Sequence, residues 1–445
     1  MALSGLDIYK LLPKTNCRKC GFATCLAFAM QIAKKSTTID KCPFMSEESK
    51  SMLEASSQPP IKLITIGSQE NKLEIGNETV LFRHEEKFHH PCGIGFILED
   101  TLTQAQTKEQ IEKIKSLNFE RVGQHLDINL IALRHTGEKE RFLKLVRTVL
   151  ESTSFGLVLI SSDPQTLKEA LQASAGKNPL IYSANKDNLE AFSALAKEFG
   201  AALVAKAADL SELEALAKEL SAKGVQQIIL DTGAKSVQEK VWDLTQIRRQ
   251  ALKKSNRALG FPVLTIVDNP DPYAEAIEAA TYISKYSGIV LIKGTESWEV
   301  LSLLTLRQNI YTDHQKPLKI DAKLYPVGAV SDKSPVLVTT NFSLTYYTVL
   351  GEVEASKVPA YIITIDTEGM SVLTAWAAEK LTPEKIASSM DKFGIKDAVS
   401  HKKLVIPGYI AVMSGELEDK TGWQIFVGPK EAAGIPSFLK KNSPS

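Results

Sequence analysis

The sequence predicts a multidomain α/β chain in three parts: a small cysteine-bearing unit, a (β/α)8 barrel of the TIM type, and a C-terminal open-sheet α/β domain. Length is the first reason, because 445 residues exceed what one hydrophobic core usually supports. The second is a series of eight short apolar runs between residues 93 and 320, each followed by a segment of helical period. The third is a further alternation of strand-like and helix-like runs from 321 to 445.

The first part covers residues 1–57. It holds four of the chain's five cysteines in the run Cys17-x2-Cys20-x4-Cys25-x16-Cys42, with Pro43 after the last. Clustered thiols in a polar segment predict a metal site, with Cys17, Cys20, Cys25 and Cys42 as its ligands. A zinc ribbon would offer two separated Cys-x-x-Cys knuckles, whereas three of these cysteines sit in one compact run. Three close thiolates suit three corners of a [4Fe-4S] cube, and a distant Cys-Pro can close the fourth, as in a bacterial ferredoxin. The order x2 then x4 is not itself a ferredoxin spacing, so zinc stays open as the alternative. Apolar helical patches at 8–12 and 26–33 flank the cysteines, but a unit this small buries little core and is expected to fold around its metal. Lys14, Arg18, Lys19, Lys34, Lys35 and Lys41 surround the site; cations lower a thiol pKa, and a solvated basic surface is the plainer reading.

Charge narrows the partners. Lys plus Arg number 53 against 52 Asp plus Glu, which gives no electrostatic argument for nucleic acid or an anionic membrane. The first residues show no charged leader with an apolar core, and no run approaches ~18 apolar residues, so a cytoplasmic location is expected. Five cysteines, four of them bunched, fit a reducing interior rather than a disulfide framework.

Residues 56–60, Ser-Ser-Gln-Pro-Pro, read as a linker because Pro-Pro cannot continue a helix. Within 58–92, runs at 61–66, 72–75 and 79–83 separated by turn residues predict a β-hairpin that caps or braces the next domain. The barrel is expected over 93–320, with strands at 94–98, 128–133, 156–160, 180–182, 202–204, 227–230, 263–267 and 289–292; a doubly wound sheet is the alternative. Barrel chemistry sits beyond the C-terminal strand ends, here Glu99-Asp100, Arg134-His135, Ser161-Ser162-Asp163, Asp231-Thr232, Asp268-Asn269 and Lys293. They form no recognised metal, phosphate or nucleophile motif. His89-His90-Pro91-Cys92 reads as a turn with a buried thiol rather than a ligand set.

In the last part, residues 321–445, strands are expected at 336–340, 361–365, 404–406 with 409–412, and 424–427. A ligand of such a sheet binds beyond the strand C-termini, which carry Thr339-Thr340-Asn341-Phe342-Ser343, the stretch from Asp366 to Ser371, and Gly428-Pro429. No Gly-x-Gly-x-x-Gly follows a strand and no P-loop occurs, which disfavours a dinucleotide or nucleoside triphosphate.

Over its whole length the chain resembles the large (gamma) subunit of the corrinoid iron–sulfur protein of the reductive acetyl-CoA pathway. The resemblance rests on the cysteine run, the eight-unit centre, and the stretches TTNFSLTYYTVLGE, DTEGMSVLTAWAAEKL and FVGPKEAAGIP. It implies that 321–445 is a cobalamin-binding fold holding a base-off, B12-type corrinoid. By position, it implies that Thr340, Asn341 and Tyr346 contact the corrinoid. Gly369, Met370, Ser371, Val372, Leu373 and Thr374 would line its face, and Ala432, Ala433 and Gly434 its periphery. The Asp-x-His-x-x-Gly signature of many cobalamin proteins is absent, and 321–445 contains one histidine, His401. The implied function is a corrinoid methyl carrier: cobalt accepts a methyl group from methyltetrahydrofolate through a methyltransferase and delivers it to acetyl-CoA synthase/CO dehydrogenase. The [4Fe-4S] cluster would return Co(II) to Co(I). Implied partners are a small subunit in a heterodimer, that methyltransferase, acetyl-CoA synthase/CO dehydrogenase and a reductive activator. Pro59-Pro60 and residues 321–326 are the expected hinges. A pterin-dependent barrel methyltransferase with a structural metal domain is the alternative function.

Overall fold

The computed structural model describes residues 5–34, 36–46, 49–50 and 59–442. They fall into two compact units, one drawn from Met1–Phe119 and Leu126–Thr312, the other from Glu120–His125 and Asp313–Ser445. Lys35 and residues 56–58 of the expected linker lie outside the described residues.

Two short helices, α1 (Gly5–Leu11) and α2 (Cys25–Ala33), flank the cysteine loop. The Thr24 hydroxyl caps α2 by accepting from the Ala27 amide at 3.0 Å. Ile8, Leu12, Phe28, Ala29 and Met45 bury together with Cys25 and Cys42, a core of the small size expected from composition.

The next element is a hairpin, β1 (Ile64–Ile66) and β2 (Leu73–Ile75), with Ile64 opposite Ile75. Alternation puts Ile64, Ile66, Leu73 and Ile75 on one buried face, which packs into the interior of the barrel. The hairpin's hydrogen bonds go to residues just ahead of strands: Gly67 donates to the Asn178 carbonyl (3.0 Å) and Lys62 to the Gly260 carbonyl (3.0 Å). It therefore plugs the N-terminal end, and the approach is close, since a Cβ on Gly93 would lie 2.6 Å from Leu73. The run 79–83 forms no strand. Its backbone groups are taken by side chains: the Leu81 and Phe82 amides donate to Glu85 (both 3.2 Å), and Arg248 donates to the Val80 carbonyl (2.5 Å). Glu78 receives the His89 and His90 amides and pairs with buried Arg248 at 3.2 Å. Cys92 is fully buried, and burial pushes its thiol up to about 12.

Eight parallel strands close the barrel: β3 (Gly93–Glu99), then, after a small hairpin of β4 (Phe119–Arg121) and β5 (Gln124–Leu126), β6 (Leu130–Arg134), β7 (Gly156–Ile160), β8 (Leu180–Ala184), β9 (Ala202–Lys206), β10 (Ile228–Asp231), β11 (Val263–Ile266) and β12 (Ser287–Ile292), which returns to β3. The strands are apolar up to their C-terminal residues because both faces are buried: Ile94, Phe96 and Leu98 meet the surrounding helices, and Ile97 faces the barrel interior. Among the described residues the helices are α3 (Gln104–Lys115), α4 (Lys139–Ser152), α5 (Pro164–Ala173), α6 (Leu189–Phe199), α7 (Leu210–Ala222), α8 (Val237–Lys253), α9 (Pro272–Ser284) and α10 (Ser297–Tyr311). Thr103, Asp163, Asp209, Ser236 and Asp271 cap five of them, which fixes where each strand-end loop turns.

One buried pair in this barrel predicts a pH dependence. Glu275 on α9 accepts the Lys293 and Gly294 amides at 2.9 and 2.7 Å, and Glu299 on α10 faces it with neither carboxyl oxygen meeting a donor among the described residues. Burial and then the Glu275 charge push Glu299 up to about 7. The folded state thus keeps a proton that an unfolded glutamate sheds above ~4.3, so stability falls as pH rises from there towards 7 and levels beyond. Glu299→Gln should remove this term. The expected result is that the variant gains thermal midpoint on the parent between about pH 5 and about pH 8; a constant difference across that range counts against it.

The second unit carries β13 (Leu324–Val327), β14 (Val336–Thr340), β15 (Ala360–Ile365), β16 (Lys403–Ile406) and β17 (Gln424–Val427), in the order β13-β15-β14-β16-β17. All pairs are parallel except the edge strand β13, which runs antiparallel to β15. Its helices among the described residues are α11 (Ser343–Ser356), α12 (Val372–Ala377), α13 (Pro383–Lys392), α14 (Ile395–Ala398), α15 (Ser414–Thr421) and α16 (Ile435–Asn442). Two expectations are corrected here. Residues 321–326 are not a free hinge, because Thr364 donates to the Asp321 carbonyl and accepts the Lys323 amide (both 3.0 Å), and Pro326 is tolerated on an edge strand. Residues 409–412 lie in a 3-10 helix, Gly408–Met413, rather than a strand: Pro407 cannot donate to a ladder, and Gly408 is held where a Cβ would lie 2.6 Å from the Gly428 carbonyl. No helix among the described residues is long and apolar enough to cross a membrane.

Candidate functional site

The cysteine loop is asymmetric. Every residue from Lys14 to Lys19 is exposed, Cys17 included, and Cys20 is half-buried, whereas Cys25 and Cys42 are 6% and 5% exposed within the small apolar core. The backbone winds tightly, with positive φ at Lys14, Asn16, Arg18 and Gly21. For non-glycine residues that conformation costs energy, and alternating backbone handedness of this kind turns amides inward to face an anionic group. Asn16 ties the loop to the start of α2: its side chain accepts the Cys25 amide at 2.8 Å, and its amide donates to Cys25 Sγ at 3.4 Å. The Lys19 amide, with the Thr15 hydroxyl, holds the Cys17 thiol below its ordinary value. Four thiols so placed could serve as anionic sulfur donors. Among the described residues, no three Cys, His, Asp or Glu side chains close on one point as a single ion requires.

The barrel mouth is largely occupied by its own charges. Arg134 pairs with Glu99 (3.3 Å) and Asp268 (3.2 Å), and Lys293 pairs with the same two carboxylates at 3.3 and 2.8 Å. Asp231 receives the Tyr182 hydroxyl, buried Lys240 (2.7 Å each) and the Gly233 amide. Asp100 is bonded to Thr136, His135 to Ser161 (2.8 Å), and Asp163 caps α5.

A groove of about 420 Å³ opens in the second unit beyond the C-terminal ends of β14, β16 and β17. The parallel strands reverse their order there, between β14 and β16, where open α/β sheets place their ligands. Leu337, Thr339 and Val405 form the floor; α11 and α16 supply Leu344, Thr345, Thr348, Ile435 and Phe438; Ser371–Leu373, Pro407, Tyr409 and Gly428–Lys430 complete the rim. The lining is mainly apolar. At the floor Thr339 is 1% exposed and its hydroxyl has no partner among the described residues, as is true of Thr340. His401 stands at the opposite end of the sheet, ahead of β16, where it bonds the Ser334 carbonyl at 2.9 Å.

Of the residues the resemblance assigns to the corrinoid, Ser371, Val372, Leu373 and Ala432 line this groove, as do Thr339, Phe342, Gly428 and Pro429 from the strand ends. Asn341 works beneath it: its side chain accepts the Thr367 and Gly369 amides (2.9 and 3.1 Å) and donates to Asp366 (3.0 Å), which fixes the loop carrying the rim. Thr340 sits in the core, and Tyr346 is buried against Tyr325 and Tyr347, with centroids at 4.7 and 5.1 Å. Gly369 meets Pro317 and Lys319, Met370 packs on the core, Thr374 bonds Ser371 at 3.0 Å, Gly434 meets Pro429, and Ala433 is exposed. None of these eight is among the lining residues. The face of α11 formed by Leu344, Thr345, Thr348 and Val349 was missed; its signal is an i, i+1, i+4, i+5 row of small and apolar residues directly after a strand end.

The family model described as CO dehydrogenase/acetyl-CoA synthase delta subunit matches residues 63–439, and a family model named for an Fe-S cluster matches residues 12–44. The chain is 44% identical over 443 residues to the corrinoid/iron-sulfur protein large subunit of Moorella thermoacetica, covering 99% of both chains. It is 37% identical to the acetyl-CoA decarbonylase/synthase complex subunit gamma of Methanothermobacter thermautotrophicus, again covering 99% of both. The corresponding subunit of Methanocaldococcus jannaschii is 34% identical, covering 99% of this chain and 96% of that one.

Proposed function

The chain belongs to the family of corrinoid/iron–sulfur protein large subunits and acetyl-CoA decarbonylase/synthase gamma subunits, and from that premise we propose that it is a corrinoid methyl carrier with its own reducing cluster. When bound, a corrinoid would supply a metal able to carry a methyl group between methyltetrahydrofolate, presented by a methyltransferase, and acetyl-CoA synthase, and a cluster on the four cysteines would supply the electron for its reactivation.

The observation that carries this reading is the groove. It is apolar, sits at the switch point of the sheet, and has at its floor a threonine hydroxyl that meets no partner among the described residues. Leu337, Thr339, Val405, Ser371–Leu373 and Ala432 would hold the corrinoid, and Asn341 positions the loop on which the rim residues ride. Among the described residues no histidine lines the groove, and His401 bonds the Ser334 carbonyl at the far end of the sheet; a base-off corrinoid is the form the reading proposes. Cys17, Cys20, Cys25 and Cys42 would hold a [4Fe-4S] cluster; the match over 12–44 and the three-plus-one spacing support iron over zinc, which has no accessible redox state. The labour would divide as a cluster unit over 1–57, a barrel over 93–320 and a corrinoid domain over 321–445. The charged groups of the barrel mouth pair with one another, which supports placing the chemistry in the second unit rather than in a pterin-binding barrel. A small subunit, the methyltransferase, acetyl-CoA synthase/CO dehydrogenase and a reductive activator are the partners this role requires.

Metal analysis of anaerobically purified protein tests the proposal. The expected result is about four irons and about one cobalt per chain, with corrinoid bands in the visible spectrum. One zinc without cobalt overturns it. Binding of methyltetrahydrofolate by corrinoid-free protein would point to the barrel instead.

A further inference from the structure

The side chains lining the groove of the second unit are apolar or hydroxylated with one exception: among the described residues, Lys430 is its one charged member. Its place at the rim is fixed by backbone packing. Gly428 donates to the Ile406 carbonyl at 2.9 Å and Gly408 to the Pro429 carbonyl at 3.1 Å, and a Cβ on Gly408 would lie 2.8 Å from the Lys430 nitrogen. The loop after β17 is thus pressed against the loop after β16. The carboxylate next to Lys430 in sequence is taken up elsewhere: Glu431 accepts the hydroxyl of Tyr409, another rim residue, at 2.6 Å. That bond raises the Tyr409 pKa and so keeps its hydroxyl a donor. Lys430 itself is exposed and meets no carboxylate among the described residues. Helix α16 begins at the same rim, where Ile435 lines the groove, and the positive end of its dipole adds to the ammonium. An apolar groove with a single unneutralised cation at its edge fits a ligand that has a large uncharged body and one anionic group.

We propose that Lys430 is a specificity-determining residue of the groove: it takes the phosphodiester of a complete cobamide and thereby selects that form over corrinoids that lack the nucleotide. This rests on the methyl-carrier reading. A complete cobamide carries one phosphodiester, in the arm that joins the ring to its lower base, and cobinamide has neither the phosphodiester nor the base. When the base is detached from cobalt, that arm is no longer held by the metal and needs a holding point on the protein. Lysine suits the task as a compact charge with three donors on a flexible stem, which follows a phosphate without demanding one fixed geometry. The rest of the lining is uncharged and offers no comparable partner for an anion.

The test titrates corrinoid-free full chain with cobalamin, a complete cobamide, and with cobinamide, and follows binding by absorbance and by quenching of tryptophan fluorescence. In about 20 mM salt the parent should prefer cobalamin, and Lys430→Ala should weaken cobalamin binding about fivefold to tenfold while changing cobinamide binding less than about twofold. Lys430→Glu should weaken cobalamin further and leave cobinamide as tight or tighter, because cobinamide is cationic. Lys430→Arg keeps the charge and should keep the preference. The parent's preference should shrink in about 0.5 M salt, whereas that of Lys430→Ala should not move. Equal losses for both ligands in Lys430→Ala, as expected of a residue that merely shapes the rim, overturn the proposal, and so does an unchanged cobalamin affinity. A parent that binds the two ligands equally well overturns this proposal and leaves the methyl-carrier reading standing. A parent that binds neither overturns that reading, and this proposal with it.

Discussion

Cys20→Ala should abolish reductive reactivation while leaving methyl acceptance intact in protein whose cobalt has already been reduced. Cys20 is the informative ligand because of where it sits. Cys25 opens α2 and Cys42 is buried beside Ile8, Phe28 and Met45, so losing either would remove core as well as a sulfur donor. Cys20 is only half-buried, and its replacement leaves the Asn16–Cys25 ties and the apolar cluster in place. Iron should fall from about four per chain, since three thiolates close only three corners of the cube. Reduction by a low-potential donor should fall to background. Cobalt content should be unchanged, because the groove is built entirely from residues of the second unit. Loss of methyl acceptance as well, with iron-free but folded protein, would mean that the cluster is more than an electron relay.

Much of the fold is legible in the sequence, for a physical reason. Strands buried on both faces must be continuously apolar, so the eight barrel runs stand out from the charged helices between them, and each coincides with an observed strand. The misreadings occur where tertiary partners replace local ones. Residues 79–83 have strand composition, but Glu85 and Arg248 take the backbone bonds that a ladder would use. β13 was hidden because it contains Pro326, which only an edge position can accommodate, and edge position is not a local property. The end of the sheet that carries the groove was legible from small and hydroxylated residues after β14 and β15. Which of those residues face the groove was not, because it depends on the parity of each strand: Thr339 points to the groove side and Thr340, one residue on, into the core. Asn341 likewise reads as a ligand contact in sequence and acts in the structure as the tie that holds the neighbouring loop.

Thr345→Trp should empty the groove of corrinoid while sparing the cluster. Thr345 lies on the face of α11 that forms one wall, half-exposed and opposite the floor at Thr339 and Val405, so an indole there fills space that a flat, bulky ligand needs. The substitution adds volume to an open groove rather than to a packed core, so its cost to stability should be small, within about 0.5 kcal/mol. Cobalt per chain should fall at least about tenfold, equivalent to about 1.4 kcal/mol or more of lost binding, with iron unchanged. Tyr346→Phe is the matched control. Tyr346 is the next residue on the same helix but is buried against Tyr325 and Tyr347, so removing its hydroxyl should leave cobalt content near that of the parent. The pair separates two ways of assigning contacts. If position within the family motif decided them, Tyr346→Phe would lower cobalt and Thr345→Trp would be silent; if the groove decides them, the order is reversed. Full cobalt in Thr345→Trp would place the corrinoid elsewhere and remove the observation on which the methyl-carrier reading rests.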